Sequence, residues 1–411
     1  MNVHANAAGA GPGAEIESAY AWLRLVAALA LGTIGSIGMW SFVVALPAVQ
    51  AGFGVARADA SLPFTLTMIG FGLGGVVMGR FADRYGIVWP VVIGALALGA
   101  GYALSGVAAS ITQFAFAQGL IGLGSSATFG PLMSDISHWF ARRRGIAVAL
   151  VSCGNYLAGT LWPPIVQYFV ASEGWRATQL AIGVLCVVTM LPLLLVMRRP
   201  TPRSTAHETG SATGSGDTLG VSPNTLMVLL CIAGVGCCVA MAMPQVHIVA
   251  YCGDLGYGPA RGAEMLAAMM GFGIVSRIAS GFIADRIGSL QTLLAGSVLQ
   301  GVALFLYLWF DGLISLYVIS ALFGLFQGGI VPMYAIIVRE HFSPAETGTR
   351  LGIVLMATLI GMAVGGWMSG AIFDLTGSYR AAFLNGLAWN LLNGGIVIWL
   401  LLRPPPRLAP A

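Results

Sequence analysis

Residues 79–86 read Gly-Arg-Phe-Ala-Asp-Arg-Tyr-Gly, and residues 281–288 read Gly-Phe-Ile-Ala-Asp-Arg-Ile-Gly. The two stretches start 202 residues apart in a chain of 411, so each half of the chain carries one copy. In both copies a glycine-rich apolar segment leads directly into the Asp-Arg pair. A charged turn that occurs once in each half indicates a duplicated domain, and the apolar flanks indicate that this domain lies in a membrane.

The composition also describes a membrane protein. Hydrophobic residues make up 57% of the chain and charged residues 8%, whereas charge is nearer a quarter of the residues in soluble domains. A helix needs about 20 apolar residues to cross a bilayer. The runs of that length predict an all-α membrane protein of twelve transmembrane helices in two pseudo-symmetric six-helix bundles. The predicted spans are residues 22–49, 61–79, 87–109, 111–137, 146–170, 178–197, 224–252, 262–284, 290–310, 312–338, 351–373 and 381–402.

The basic residues, all 19 of them arginine, indicate the orientation, because loops rich in Lys or Arg stay in the cytoplasm. With the N-terminus inside, the cytoplasmic side carries Arg24, Arg80, Arg84, Arg142, Arg143, Arg144, Arg198, Arg199, Arg203, Arg286, Arg339, Arg350, Arg403 and Arg407. The outer loops carry only Arg57, Arg176, Arg261 and Arg380. We therefore expect both termini in the cytoplasm, in a bacterial-type inner (plasma) membrane. A cleaved signal peptide is not expected, because no basic run precedes an apolar core near the N-terminus.

The chain divides into two halves and three polar segments. Residues 200–223 are rich in Ser, Thr, Gly and Pro and predict a flexible cytoplasmic linker. The halves are residues 21–199 and 224–402, flanked by a polar N-terminus (1–20) and a tail (403–411), both expected in the cytoplasm. Further markers recur at nearly the same offset, including Pro131 and Pro332 in the fourth and tenth spans.

Several classes of function are not supported. The six cysteines lie within predicted spans without metal-ligand spacing, so they predict packing residues rather than a metal or disulfide site. The basic residues lie in short loops, as topology requires, and do not indicate nucleic-acid binding. No Walker motif is present, so we expect no use of ATP. No cofactor is expected, and no set of nucleophile, base and carboxylate indicates an enzyme.

The chain resembles the major facilitator superfamily over essentially its whole length, because the Asp83-Arg84 turn between the second and third spans matches that superfamily's most diagnostic motif. It further resembles the monocarboxylate and oxalate/formate transporter group. The residues that carry this second resemblance are Trp139-Phe140, Arg142-Arg143-Arg144-Gly145, Pro244-Gln245-Val246-His247 and Arg277. The resemblance implies secondary transport by alternating access of two halves around a midplane site. We expect the monomer to be the functional unit.

Arg277 is the foremost candidate for binding a substrate. It lies eight residues before Asp285, roughly 12 Å along a helix at 1.5 Å per residue, and so well inside the hydrocarbon zone. Since arginine stays charged, it needs an aqueous cavity or an anionic partner. One alternative is a structural ion pair with a carboxylate of another helix. In the transporters that the chain resembles, an arginine at this position binds the substrate carboxylate.

This chain differs from that group in two respects, and both bear on the expected substrate. Many eukaryotic members have an aspartate one turn before this arginine, where this chain has Gly273. Oxalate-type exchangers use a second cation, a lysine in the eleventh span, and this chain contains no lysine. One buried cation suits a monoanion better than a dianion, because each buried charge needs its own compensation. The sequence therefore favours monocarboxylates.

His247 is the second candidate, in the outer part of the seventh span. Histidine has an ordinary pKa near 6.5, so a histidine in the cavity could carry the proton of a symporter or bind the substrate. A histidine whose hydrogen bonds are satisfied near the interface is an equally good interpretation. Among weaker candidates for substrate binding, which could equally join neighbouring helices, are Tyr334, Trp40, Asn155 and Tyr156.

The repeated motif is expected to act in gating and structure rather than in binding. Charges at this level can pair across the two halves and hold one conformation. The residues assigned to this role are Arg80, Asp83, Arg84, Asp285, Arg286 and Asp135.

The sequence thus predicts a secondary active transporter of small organic anions, most simply a proton-coupled symporter of lactate, pyruvate or a similar monocarboxylate. An exchanger of the oxalate/formate type and an exporter of an apolar small molecule remain alternatives. A sensor built on the same fold is a third class, for which no sensory segment is evident.

Overall fold

The computed structural model describes residues 16–199 and 219–403, and within them the chain is helical without strands. Of the predicted polar segments, residues 1–15, 200–218 and 404–411 lie outside the described residues. The helices are α1 Ala19–Gly35, α2 Ile37–Phe53, α3 Arg57–Tyr85, α4 Val88–Val107, α5 Ile111–Ser126, α6 Gly130–Ser137, α7 Arg144–Ser152, α8 Gly154–Leu193, α9 Pro223–Asp254, α10 Pro259–Ile287, α11 Ser289–Trp309, α12 Leu313–Gln327, α13 Ile330–His341, α14 Pro344–Thr376 and α15 Tyr379–Leu401.

Twelve membrane spans account for these helices, as the sequence predicts. Ten helical segments of the described part are long and apolar enough to cross a bilayer. One of them, Arg144–Leu193, holds two predicted spans, which a kink at Gly174 separates (φ 80°, ψ 159°). A glycine adopts this positive φ at little cost. The remaining span is formed by α5 and α6 together, each of which is shorter than a bilayer crossing.

Four predicted spans are interrupted rather than continuous. The fourth breaks between α5 and α6, and the tenth breaks at the equivalent place, between α12 and α13. In both cases a proline, Pro131 or Pro332, lies in the first turn after the break, where its missing N–H leaves no helical hydrogen bond unmade. The first span breaks at Ser36 and the fifth at Cys153.

Burial separates central helices from peripheral ones. Within Ala19–Phe53, 83% of an apolar 18-residue stretch is buried, and within Pro223–Asp254 the buried share of such a stretch is 72%. Within Tyr379–Leu401 only 28% of the equivalent apolar stretch is buried. Large apolar side chains such as Ile314 and Leu375 are exposed on the outside, as expected where lipid replaces water. The first and seventh spans therefore form the centre of the molecule.

Two seams join the halves. In one, α3 packs against α14, and in the other α8 packs against α10. At the first seam a Cβ at residue 370 would lie 2.9 Å from the carbonyl oxygen of Arg57, a backbone atom that cannot rotate away. Only glycine allows this approach. We call the membrane face at which the described chain begins and ends the terminal face, and the opposite one the distal face.

Candidate functional site

Arg277 lies on α10 at the seam between the two halves, and it is half-buried. Its Nη1 donates to the carbonyl oxygen of Ser152 at 3.4 Å, and its Nε donates to the carbonyl oxygen of Gly328 at 3.5 Å. The guanidinium carbon lies 4.4 Å from the centre of the Tyr156 ring. Because Ser152 and Tyr156 belong to the first half and Gly328 to the second, both halves contact this cation.

Two helix ends face Arg277. Ser152 is the last residue of α7, and Gly328 directly follows the end of α12. The last carbonyl groups of a helix have no partner within it and carry the negative end of the helix dipole. Interrupted helices of transporters present such carbonyls to cations. The breaks in the fifth and tenth spans thus offset part of the charge of Arg277 without a carboxylate.

No carboxylate pairs with Arg277 among the residues that the structure describes. The ion pairs there involve Arg24, Arg57, Arg261 and Arg350 instead. Both hydrogen bonds of Arg277 are long, and a guanidinium has five N–H groups. A half-buried arginine with unused donors can therefore accept an anion, whereas a structural ion pair would have occupied them.

Three of the predicted binding residues lie together with Arg277. The indole Nε1 of Trp40 donates to Asn155, at 3.0 Å to the side-chain oxygen and 3.1 Å to the carbonyl oxygen. Asn155 is followed by Tyr156, whose ring lies on Arg277. Trp40 and Tyr156 are 5% and 7% exposed. We call Trp40, Asn155, Tyr156 and Arg277 the central cluster.

Tyr334 lies elsewhere, within the second half. Its ring is fully buried, and its hydroxyl donates to the side-chain oxygen of Asn393 at 2.8 Å. Asn393 in turn donates to the Ser297 hydroxyl at 2.8 Å. No hydrogen bond joins Tyr334 to the central cluster, so the structure places it among helices α11, α13 and α15.

His247 also lies outside the central cluster, in a group at the distal face. We call this group, formed by Arg57, His247, Asp254, Asp374 and Tyr379, the distal cluster. Arg57 pairs with Asp254 (Nη1 to Oδ2, 3.0 Å) and donates to the Tyr379 hydroxyl. The main-chain N–H groups of Arg57 and Ala58 donate to Asp374 at 2.9 and 2.7 Å, so that Asp374 caps α3.

The hydrogen bonds of His247 define its tautomer. Nε2 lies 2.8 Å from the carbonyl oxygen of Gly366, which can only accept, so this nitrogen carries the proton. Nδ1 then accepts from the Tyr379 hydroxyl at 3.2 Å, while that hydroxyl accepts from Arg57. The donors run in one direction from Arg57 through Tyr379 to neutral His247.

The distal cluster closes its face of the molecule. Arg57 belongs to the first half, and its partners Asp254, Asp374 and Tyr379 belong to the second. From the sequence Arg57 is only a loop charge, because its partners come from three other helices. Their convergence could not be read from spacing along the chain.

The charged residues of the repeated motif differ in their arrangement from those of the distal cluster. Their side chains are exposed, and none makes an ion pair or a side-chain hydrogen bond with any described residue. These residues are Arg80, Asp83, Arg84, Asp285 and Arg286. The halves are thus locked at the distal face, whereas the motif charges at the terminal face remain free of one another.

Asp135, which was grouped with this motif, is instead paired with Arg24. Both carboxylate oxygens accept at 2.8 Å, from Nε and Nη2 of Arg24, and the two side chains are 4% and 1% exposed. Arg24 also donates to the Arg199 carbonyl oxygen at 2.9 Å. Its guanidinium carbon lies 4.7 Å from the Trp139 ring. The pair joins the first and fourth spans, and Arg24 also holds the segment that follows the sixth span.

A polar pair of two glutamines lies near the central cluster. Gln245 donates to the side-chain oxygen of Gln327 at 3.0 Å, which joins α9 to α12. The Gln327 nitrogen is buried without a hydrogen-bond partner among the described residues. Gln327 directly precedes Gly328, whose carbonyl faces Arg277. The pair therefore extends the polar groups around Arg277 into the second half.

Comparisons with known proteins agree on one family. The family model described as Major Facilitator Superfamily matches residues 28–322 and 228–411. Monocarboxylate transporter 13 of Bos taurus is 26% identical, over 93% of this chain and 90% of that protein. The uncharacterized MFS-type transporter YcxA of Bacillus subtilis is 25% identical, over 84% of this chain and 87% of that protein. A crystal structure of a bacterial homolog to the human lysosomal transporter Spinster matches with a TM-score of 0.79 at 13% identity. The match covers 96% of this chain and 100% of that protein.

Proposed function

Since the chain belongs to the Major Facilitator Superfamily and is a membrane transporter rather than an enzyme, we propose that it carries a short monocarboxylate such as lactate or pyruvate together with a proton. The observation that carries this proposal is Arg277, a half-buried cation with no carboxylate partner among the described residues. Relatives named monocarboxylate transporters support the same class of cargo.

Arg277 binds the carboxylate in this proposal. A planar carboxylate accepts two parallel N–H groups of a guanidinium, and such charge-assisted pairs are about twice as strong as neutral hydrogen bonds. Trp40 bonds to Asn155, the neighbour of Tyr156 along the chain, and in this proposal the two provide an apolar wall and a polar group for the rest of a small acid. Arg24 and Arg57 are already paired with aspartates. A single arginine without a carboxylate partner deep within the described spans favours a monoanion over a dianion.

His247 carries the proton in this proposal, from the distal cluster rather than from beside the substrate. Protonation at Nδ1 would place a second donor against the Tyr379 hydroxyl and a positive charge near Arg57. Both effects break the directed chain of hydrogen bonds and repel Arg57 from its site. Asp254, Asp374 and Tyr251 are the other titratable groups of this region. The protonated state therefore favours opening of the distal face.

Alternating access follows from these two clusters. The distal cluster closes one face, and its release, with pairing of the motif charges at the terminal face, would produce the opposite conformation. We place the terminal face in the cytoplasm of a bacterial-type inner membrane, because fourteen arginines belong to that side and four to the other. The monomer contains both halves and is the functional unit in this proposal.

Transport by purified protein in liposomes tests the assignment. Uptake of radiolabelled pyruvate should rise when the outside is acidified relative to the lumen. Arg277→Ala should abolish uptake, and Arg277→Lys should impair it severely, because lysine lacks the planar fork. Arg261→Ala is a matched control on the same helix, since Arg261 is exposed and forms its ion pair with neighbouring Glu264. Normal pyruvate uptake by Arg277→Ala would refute the proposal.

The same preparation separates the other candidate functions. An exchanger of the oxalate/formate type would need an anion inside the liposomes and would respond little to the pH gradient. An exporter of an apolar compound would show no pyruvate uptake at all. Either result would replace the symporter.

A further inference from the structure

The ring of Tyr156 lies against the guanidinium group of Arg277. The ring centre lies 4.4 Å from the guanidinium carbon, and the tyrosine is 7% exposed. A cation on an aromatic face is attracted by the negative charge of that face, and a planar guanidinium also stacks on it. One face of Arg277 is thereby covered, and an anion accepts the N–H groups in the guanidinium plane, because they point outward in that plane.

The two main-chain hydrogen bonds of Arg277 leave part of its guanidinium group available. Of the five N–H groups of a guanidinium, Nε faces Gly328 and one on Nη1 faces Ser152. Nη2 donates to no main-chain carbonyl of the described residues, and Tyr156 is the side chain that contacts the guanidinium. The edge between Nη1 and Nη2 is thus available for a carboxylate with two parallel oxygens.

Gly273 provides the space that the Tyr156 ring occupies. It lies four residues before Arg277 on α10, and residues four apart share one helix face. A Cβ at residue 273 would lie 2.7 Å from Cδ1 of Tyr156 and nearer still to Cε1. Since carbon atoms do not pack at that distance, any side chain at residue 273 would push the ring away from Arg277.

We propose that Tyr156 and Gly273 together determine the specificity of the Arg277 site for planar monocarboxylates. Tyr156 acts as a positioning residue, because it fixes the plane in which Arg277 offers its free edge. Gly273 contributes because it has no side chain that would displace the Tyr156 ring. This inference rests on the proposed function of Arg277 and adds the feature that distinguishes a planar carboxylate from a tetrahedral anion of the same charge.

A double-mutant cycle tests the pair in proteoliposomes, with pyruvate uptake as the measurement. Tyr156→Ala should raise the KM for pyruvate roughly 2- to 30-fold, the range expected for loss of a cation–π contact. Gly273→Ala should raise it similarly. The double variant should be no worse than Tyr156→Ala alone, since the clash disappears with the ring. Gly271→Ala is the matched control, because a Cβ there meets only Thr160 at 3.5 Å.

Competition measures specificity directly. Acetate and methanesulfonate carry the same charge, but the carboxylate is planar and the sulfonate is tetrahedral. Acetate should inhibit pyruvate uptake better than methanesulfonate, and this preference should shrink in Tyr156→Ala and Gly273→Ala. Tyr156→Phe, which keeps the stacked ring, should restore most of the preference.

Two outcomes distinguish this inference from the function on which it rests. If Arg277→Ala abolishes uptake while Tyr156→Ala keeps the KM and the acetate preference of the unaltered protein, only the inference fails. If Arg277→Ala transports normally, the proposed function fails as well. Additive losses in the double variant would also overturn the pairing. Thermal unfolding of each variant in detergent separates damage to the fold from a change in the site, and Tyr156→Leu replaces Tyr156→Ala if the latter unfolds.

Discussion

Arg57 and Asp254 form an ion pair between the two halves of the molecule, with Nη1 and Oδ2 3.0 Å apart. Arg57 opens α3 in the first half, whereas Asp254 ends α9 in the second. The Arg57 side chain is 9% exposed and the Asp254 side chain 38% exposed, so solvent screens the pair only in part. Its release must accompany any separation of the halves at the distal face.

Asp254→Asn should shift the protein toward the conformation open at the distal face. A partly exposed pair contributes up to about 1 kcal/mol, so the open population should rise up to about fivefold. The measurement is the labelling rate of Ser61→Cys by a membrane-impermeant thiol reagent, because Ser61 is buried in the α3–α14 seam. Asp311→Asn, at an exposed position of the same face, is the control. An unchanged rate in Asp254→Asn would contradict the role of this pair.

Gly370→Ala should prevent close packing of the same seam. A Cβ there would lie 2.8 Å from the Ser61 hydroxyl and 2.9 Å from the Arg57 carbonyl oxygen. We expect uptake to fall at least tenfold, with Ser61→Cys labelled faster, because the distal face cannot close. Gly352→Ala on the same helix has open space around its Cβ and should behave normally. Full uptake by Gly370→Ala would show that the seam does not close during transport.

His247→Gln should separate proton coupling from transport. Glutamine can still donate to the Gly366 carbonyl oxygen and accept from Tyr379, but it does not titrate near neutral pH. Pyruvate exchange at equal pH should persist, whereas stimulation by an inward proton gradient should disappear. The ratio of the two rates, measured in one batch of proteoliposomes, tests this. A His247→Gln protein that still responds to the gradient would place the proton elsewhere.

Arg24→Met should destabilise the first half strongly. Removal of one partner of a buried ion pair costs about 3–5 kcal/mol, because the other charge remains buried alone. Arg24 and Asp135 are almost completely buried, so the midpoint of thermal unfolding in detergent should fall by several degrees. Asp135→Leu added to Arg24→Met should recover most of the loss.

Arg261→Met provides the comparison for this prediction. Its pair with Glu264 is exposed, at 53% and 43% of the two side chains, and exposed pairs contribute about 0–1 kcal/mol. The midpoint should therefore change little. Equal losses in Arg24→Met and Arg261→Met would show that burial does not decide the contribution of the Arg24 pair.

The sequence predicted the fold and the principal candidate residue with little ambiguity. Apolar runs of bilayer length and a charged turn repeated after 202 residues are patterns that can be recognised without knowing which residues are in contact. Arg277 could be singled out for the same reason, since an arginine deep in a predicted span is costly wherever the helix packs. The prediction that it binds substrate stays a prediction.

The partners of these residues could not be predicted in the same way. His247 and Arg277 occur in neighbouring spans, and the sequence left open whether His247 lies in the cavity or is satisfied near the interface. In the structure His247 bonds to Gly366 and Tyr379 in a separate cluster. Asp135 was expected near the repeated motif, and it pairs with Arg24 instead, 111 residues away along the chain. Which helix faces which depends on packing, and packing has no local signature.

The sequence by itself therefore determined the number of spans, the duplication and the presence of an arginine deep within a span. Only the tertiary structure decided that the cation meets two helix ends and a tyrosine ring, and that the distal face is closed by residues from four helices. The physical reason lies in the range of the interactions. Insertion into lipid depends on the apolar content of each segment, whereas hydrogen bonds and ion pairs depend on side chains brought together from distant segments.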